Sequence, residues 1–367
     1  MPRAAVMSAP RKPIEIRDFP APILEPGAIV LDTVASEVCG TDVHIHHGRL
    51  ASVPFPIIPG HVSVGRVADA IGVDRDALGA PLAIGDVVTF YDVHETCGRC
   101  YHCAVARQPT RCPARKVYGI TYSANEGLLG GWAERIYLKP GVRILRLPNP
   151  LTADDVIGGG CGLFTGFAAV ERADITMGDT VVVQGAGPVG LAAAAFAGLR
   201  GAARVIAIGG PAARLDLARH FGVDHTFSLD EHSPHDRDEA VRELTDGRGA
   251  DVVIEATGNP DAVPEGLRLL RDGGTYVVAG HYADVGPTTL NFHTDVNRKH
   301  AQIRGQWGTE FSHVTRALTL FARHRDRLPF AETIGGRYGL QDAGRALADV
   351  EAMRVTKAVI VPNGEGI

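Results

Sequence analysis

The chain has 367 residues, 45% hydrophobic and 22% charged, which is ordinary for a globular protein and more than one core usually serves, so two domains are expected. A net charge of −5 with a pI near 6.3 argues against nucleic acid or an anionic membrane surface as the main partner. The first twenty residues hold no apolar stretch of signal-peptide length and the longest apolar run, 190–199, is too short for a bilayer; a cytoplasmic protein is expected, whose six cysteines serve as ligands, catalytic groups or core residues rather than disulfides.

The first third predicts short strands joined by turns. Residues 28–34 alternate loosely, and Gly85-Asp86 leads into a strand over 87–90. Pro54, Pro56, Pro59 and Gly60 punctuate the stretch after His47, as in an irregular β domain. Within it, Cys39-Gly40-Thr41-Asp42-Val43-His44 gathers a soft metal ligand, a hydroxyl, a carboxylate and an imidazole into six residues. Cys39 is the expected holder of a catalytic zinc.

Residues 96–113 are rich in cysteine and follow neither the helical nor the strand period, so that lobe needs a cross-link to be ordered. The spacing Cys97-x2-Cys100-x2-Cys103-x8-Cys112 places four thiolates within 16 residues, enough to close a tetrahedral zinc site. With no open position, such a site is structural. A free-thiol cluster, an iron–sulfur site and a zinc-ribbon nucleic-acid module are the alternatives; the acidic balance weighs against the last. His94 and His102 are surplus to four cysteines and are expected at the surface.

Two cysteines remain, Cys39 and Cys161. With His61 they would supply two sulfurs and one nitrogen and leave a fourth position for substrate, the ligand pattern of a catalytic zinc. A lone cysteine is more often a small buried hydrophobe, but all six cysteines are then used. Asp154, Asp155 and Glu171, around Cys161, are expected to be solvated helix charges.

The pattern changes near residue 165. Apolar runs at 180–184, 204–208, 251–256 and 275–279 alternate with helical stretches at 189–199, 214–221, 238–244 and 261–270. Alternation at this pitch predicts an α/β fold with a doubly wound parallel sheet, ending in a strand over 301–306. Gly185-Ala186-Gly187-Pro188-Val189-Gly190 links the first of these strands to its helix and fits the dinucleotide-binding turn. The first glycine permits the turn, the second lets backbone approach the pyrophosphate, and the third lets helix and strand pack closely. The acid that would accept ribose hydroxyls at the end of the second strand is missing: Gly209 stands there, followed by Gly210 and Pro211. Arg214 is placed to meet either a ribose edge or a phosphate, and a solvated helix residue is the competing expectation. NAD is favoured because no basic cluster replaces the acid, with NADP left open. The tail over 311–363 predicts one amphipathic helix and a final strand at 357–362, returning to the first domain.

Together these motifs resemble the zinc-dependent medium-chain dehydrogenase/reductase family, of the alcohol dehydrogenase type. The resemblance covers nearly the whole chain: its opening residues, CGTDVH, PGH, the four-cysteine lobe, GGWAE at 130–134, GCGLFTG and GAGPVG, in that order. It implies a GroES-like β-rich catalytic domain over 1–162 with a structural zinc lobe at about 95–113, a Rossmann domain over 163–307, and a return to the catalytic domain over 308–367. It implies two zinc ions per chain, one on Cys39, His61 and Cys161 and one on Cys97, Cys100, Cys103 and Cys112. Thr41 would take the proton from the alcohol, His44 would pass it to solvent, Asp42 would orient His61, and Val189 would lie behind the nicotinamide. A homodimer or homotetramer is implied. So is a small alcohol or carbonyl substrate, and the residues from Gly209 to Arg214 resemble a branch that oxidises bulky alicyclic alcohols such as hydroxylated terpenes. A polyol or amino-acid 3-hydroxy dehydrogenase of the same family is the alternative, and a non-enzymatic zinc- and nucleotide-binding sensor a third. The chain departs from the family pattern at Val62, where a glutamate usually follows the zinc histidine, at one extra residue in the cysteine lobe, and at Gly209.

Overall fold

The computed structural model describes residues 1–364. In chain order, the elements up to the cysteine lobe are β1 (Arg3–Met7), β2 (Ile14–Asp18), β3 (Ile29–Val38), α1 (Gly40–His46), β4 (Ser63–Ala70), β5 (Val87–Phe90) and β6 (Val93–Glu95). Next come α2 (Tyr101–Ala104), β7 (Lys116–Val117), β8 (Arg135–Leu138), β9 (Ile144–Arg146) and α3 (Ala153–Ala173). The α/β stretch holds β10 (Thr180–Gln184), α4 (Pro188–Arg200), β11 (Arg204–Gly209), α5 (Ala212–His220), β12 (His225–Ser228) and α6 (Pro234–Glu243). It continues with β13 (Ala250–Glu255), α7 (Ala262–Leu269), β14 (Leu270–Val278) and β15 (Gln302–Gly305). Last are α8 (Phe311–Arg323), β16 (Ile334–Tyr338), α9 (Ala343–Glu351) and β17 (Lys357–Ile360). Two compact units result, one of Met1–Gly160, Glu310–Ala322 and the segment from Phe330 on, the other of Cys161–Thr309 and Arg323–Pro329.

The first unit is built on a seven-stranded sheet in the order β16-β17-β3-β4-β5-β9, with β8 also pairing β3. All its pairs are antiparallel except β16 with β17. Its spine is β3, whose β-branched and apolar residues are almost all buried. Its register with β4 slips between Thr33 and Ala35, and such a bulge re-aims the residues beyond it. Accordingly Ile29 and Leu31 join a cluster with Val88, Phe90 and Tyr118, while Val38 joins another with Ile45, Ile57, Trp132 and Ile360.

The second unit carries the six-stranded, all-parallel sheet β12-β11-β10-β13-β14-β15. Strand order reverses between β10 and β13, the switch point at which such sheets leave a crevice beyond their carboxyl ends. All five residues of β10 are buried, as a parallel strand covered on both faces requires.

The strands expected at 87–90 and 180–184 form there, and the helix expected at 189–199 forms as α4. Three elements differ from expectation. The sheet gains β12, whose His-Thr-Phe-Ser sequence sits at an edge with mixed burial and so lacks an apolar run. The tail forms two helices, α8 and α9, where one was expected; α9 buries mainly Ala343, Ala346 and Leu347, too small a stripe to stand out. Helix α3 starts at Ala153, because Thr152 and Asp155 cap it reciprocally: Asp155 Oδ2 accepts from the Thr152 N–H and hydroxyl at 2.8 Å each. Asp155 is thus buried, where a solvated charge was expected.

Candidate functional site

Strand β3 ends at Val38, and the chain turns at Cys39 (φ −136°, ψ 179°) into α1. The Cys39 N–H donates to Asp42 Oδ2 at 2.9 Å, and the Asp42 N–H to the Cys39 carbonyl at 3.1 Å. Asp42 is fully buried and so fixes how Cys39 leaves the strand. Burial pushes its carboxyl above the usual range, opposed by the nearby His61. Its second oxygen, Oδ1, is buried without a hydrogen-bond partner among the described residues.

His61 follows Gly60, which holds φ +88° with its Cα pressed toward Ser36 and Trp132; a Cβ there would lie 2.4 Å from Ser36 Oγ. Only glycine meets both demands. His61 is buried, and its Nε2 lies 3.4 Å from Glu37 Oε1. The other oxygen of Glu37 accepts from Lys357 Nζ at 2.7 Å, and both of these residues are buried. Glu37 is held further by its backbone: its N–H donates to the Val62 carbonyl at 3.1 Å, and Trp132 Nε1 donates to its carbonyl at 2.9 Å. The sequence reading missed Glu37 and Lys357. The signal available was an acid in the apolar end of a strand, two residues before Cys39.

Helix α3 breaks at Gly160 (φ 52°, ψ −146°), and Cys161 follows directly. A donor atom from each of Glu37, Cys39, His61 and Cys161 falls in one group whose members all lie within 4.8 Å of one another. Two thiols, an imidazole and a carboxylate fit a zinc ion by type and number. The predicted set Cys39, His61 and Cys161 is thus brought together, with Glu37 added to it.

Cys97, Cys100, Cys103 and Cys112 form the second such group, also within 4.8 Å. A tetrahedral Zn–S site needs sulfurs about 3.8 Å apart; Cys100 and Cys103 Sγ lie 3.5 Å apart. Backbone N–H groups of Arg99 and Cys100 draw the Cys97 thiol down to about 6, while burial and the neighbouring thiols push Cys103 up to about 12. The conflict is that of four thiols sharing one space, and a dication that takes all four as thiolates removes it. The surplus His94 is not a surface residue: it is wedged between Tyr118 and Tyr122, with Nδ1 2.7 Å from the Tyr122 hydroxyl.

Thr41 and His44 are both partly exposed on α1, three residues apart and so on one face. Burial, then Arg49 and His47, lower the His44 pKa from 6.5 and keep its imidazole neutral at neutral pH. Its Nδ1 is buried with no hydrogen-bond partner among the described residues.

In the second unit, the glycine turn has the predicted form. Gly185 holds φ +110° and its N–H donates to the Ile208 carbonyl at 2.7 Å. A Cβ on Gly190 would lie 1.8 Å from the Gly185 carbonyl oxygen, whereas nothing lies within 4 Å of where one on Gly187 would point. Gly187 is the N-cap of α4, with Pro188 at its first position and Val189 partly exposed. Open space at a helix N-terminus ringed by backbone N–H groups fits a pyrophosphate. Gly209 is buried, and a Cβ there would press to 3.0 Å on the Ala186 nitrogen. Arg214 is half-buried on α5 rather than a fully solvated helix residue, and desolvation lowers its pKa.

A family model for the alcohol dehydrogenase GroES-like domain matches residues 25–149, and one for a zinc-binding dehydrogenase matches residues 188–323. The chain is 35% identical over 362 residues to 5-exo-hydroxycamphor dehydrogenase of Pseudomonas putida, covering 98% of each chain. It is 33% identical over 276 residues to erythritol/L-threitol dehydrogenase of Mycolicibacterium smegmatis, covering 72% of each. Its structure matches the crystal structure of an alcohol dehydrogenase from Thermotoga maritima with a TM-score of 0.93, at 34% identity and 99% coverage of each chain.

Proposed function

The chain belongs to the zinc-dependent medium-chain dehydrogenase family, whose members are zinc- and NAD(P)-dependent alcohol oxidoreductases, and from that premise we propose that it oxidises a bulky alicyclic secondary alcohol to a ketone, with NAD as hydride acceptor. The observation that carries the proposal is the gathering of the Cys39, His61 and Cys161 donors, with Glu37 beside them, into one largely buried group whose two sulfurs and one nitrogen match a catalytic ligand set. The substrate class is supported by the near end-to-end similarity to a hydroxycamphor dehydrogenase.

In this assignment Cys39, His61 and Cys161 hold one zinc, and Cys97, Cys100, Cys103 and Cys112 hold a second. Bound there, zinc supplies the Lewis acidity that lowers the pKa of an alcohol, and the nicotinamide supplies the hydride acceptor. Thr41 Oγ1 accepts the hydroxyl proton and gives up its own to the neutral imidazole of His44, which releases it to solvent. Asp42 holds the Cys39 backbone and, beside His61, orients the neutral imidazole that would bind the metal. The Gly185-to-Gly190 turn cradles the pyrophosphate, with Val189 behind the nicotinamide. Gly209 lets the end of β11 lie close against the glycine turn, and Arg214 meets the ribose edge; preference for NAD over NADP follows from the uncharged Gly209, Gly210, Pro211, Ala212 and Ala213. The working domains are 1–162, 163–307 and 308–367.

Cytoplasmic residence is consistent with six cysteines free of disulfides; no described helix is long and apolar enough to cross a membrane. A homodimer or homotetramer is supported by the exposed edge strand β15, where Ile303 is 43% exposed. A polyol is the second substrate class, favoured by the similarity to the erythritol/L-threitol enzyme. The test follows reduced-nicotinamide absorbance over primary, secondary, cyclic and polyhydric alcohols, with NAD and NADP, with and without chelator. Turnover of cyclic secondary alcohols with NAD, abolished by chelator, is expected. A preference for polyols establishes the second class, and silence across the panel with zinc bound overturns both.

A further inference from the structure

The buried carboxylate of Glu37 has no part in the proton path, yet it lies in the donor group of the Cys39 centre. Four observations make it more than a counter-ion. Oε1 faces His61 Nε2 at 3.4 Å while Oε2 faces Lys357 Nζ at 2.7 Å, so the two oxygens look in different directions. A buried ion pair is seldom a net gain in stability over an apolar pair of the same shape, which leaves this one to be explained by use. The Glu37 N–H bonds the carbonyl of Val62 at 3.1 Å; the carboxylate missing at position 62 is thus supplied by the residue beside it across the sheet. Finally, Gly160 is cleared for the pair: a Cβ there would lie 2.0 Å from Glu37 Oε2 and 2.6 Å from Lys357 Nζ.

The geometry points to Glu37 as an exchangeable fourth ligand of the metal at Cys39, His61 and Cys161, with Lys357 as the partner that receives the carboxylate when an alcohol takes its place. The inference rests on the metal assignment above and deepens it. Val62 has displaced the carboxylate from its usual place in the sequence, and Glu37 restores it from the neighbouring strand. No bond within the ligand residues is made or broken; one carboxylate oxygen and one exogenous oxygen or nitrogen exchange on the cation, and Lys357 neutralises the carboxylate that leaves.

The test uses the full chain loaded with metal and needs no turnover. Release of metal to a chelator is timed, and the visible spectrum of the cobalt-substituted protein is titrated with imidazole as exogenous ligand. Metal in the four-cysteine lobe serves as internal reference. In Glu37→Gln, and in Glu37→Gln combined with Lys357→Met, the metal held by Cys39, His61 and Cys161 is expected to leave ~10- to 100-fold faster, and imidazole to enter at correspondingly lower concentration. Lys357→Met alone should shift the imidazole titration the other way, because the carboxylate has lost its second partner. The double variant removes both buried charges and so decides the matter where Glu37→Gln does not fold. Unchanged release and unchanged imidazole titration in the double variant overturn the exchange and leave Glu37 as the counter-ion of Lys357. Wild-type protein that binds metal in the lobe alone overturns the metal assignment itself, a separate outcome from the first.

Discussion

His44 and Lys357 show how much one side chain's surroundings decide. The His44 imidazole stays neutral because burial disfavours its cation, with Arg49 and His47 adding to the effect. His44→Gln should lower alcohol oxidation by about 10²-fold. Since the His44 pKa lies below 6.5, wild-type rates should fall on acidification only beneath that value, and the pH–rate profile of the variant should lose that limb. Lys357 buries an ammonium whose visible partner is Glu37. In metal-free protein, Lys357→Met should cost about 3–5 kcal/mol of unfolding free energy in urea, because the Glu37 carboxylate stays buried without the ammonium that faces its Oε2; adding Glu37→Gln should recover most of it. The two cysteine groupings were legible in the sequence, since spacing and number are what bring such thiols together. Glu37 and Lys357 were not: 320 positions separate them, and neither belongs to a motif. Asp42 was read as the residue that orients His61, and its hydrogen bond to the Cys39 backbone was visible only once α1 was in place.

Elements built on strict local rules were the ones the sequence announced. The strand–turn–helix of β10, the glycine turn and α4 is the clearest, because Gly185 and Gly190 each answer a backbone demand and Gly187 leaves open space between them. Gly190→Ala forces a Cβ to 1.8 Å from a carbonyl oxygen. It should cost ~1–3 kcal/mol and weaken nicotinamide binding, readable by thermal unfolding and by quenching of intrinsic fluorescence on titration. Helix α6 shows a cap with a pH signature. Ser233 and Asp236 bond reciprocally at its start, the Asp236 N–H reaching Ser233 Oγ at 3.2 Å, and the Ser233 hydroxyl and N–H hold the Asp236 carboxyl below its usual 3.8. A depressed carboxyl stabilises the fold above its unfolded value and ceases to do so as pH falls through its folded value. Asp236→Asn should therefore destabilise the protein at pH 6, and that effect should fade as pH falls from 3.8 through the lower folded value, measured by urea midpoints across the range. Edge strand β12 and helix α9 escaped notice for a common reason. Each is positioned by neighbours rather than by its own periodicity.

At the scale of the whole chain, the order of motifs foretold two units of different construction, and the structure supplies what order alone does not: which distant segments share a sheet. The cysteine lobe is tied to the late segment by Glu310, whose Oε1 accepts from Thr110 Oγ1 at 2.9 Å and from its N–H at 3.3 Å. Replacing Cys100 and Cys103 by serine should open 96–113 to limited proteolysis, since four thiolates on a metal are what would order it. The position of β17 carries a different kind of consequence. It lies between β16 and β3 in the sheet, and its first residue is the ammonium beside Glu37. On a ribosome adding ~5–20 residues per second, His61 precedes Lys357 by on the order of 15–60 s. Once β8 is made, β3 is paired along Ile29–Asp32, but until β17 follows its Ser36–Val38 end lacks a neighbour on that side, and Cys39 waits as a thiol at the end of that open stretch. A nascent chain stalled before residue 357 is thus vulnerable to oxidation and to strand-to-strand aggregation in a way the folded enzyme is not.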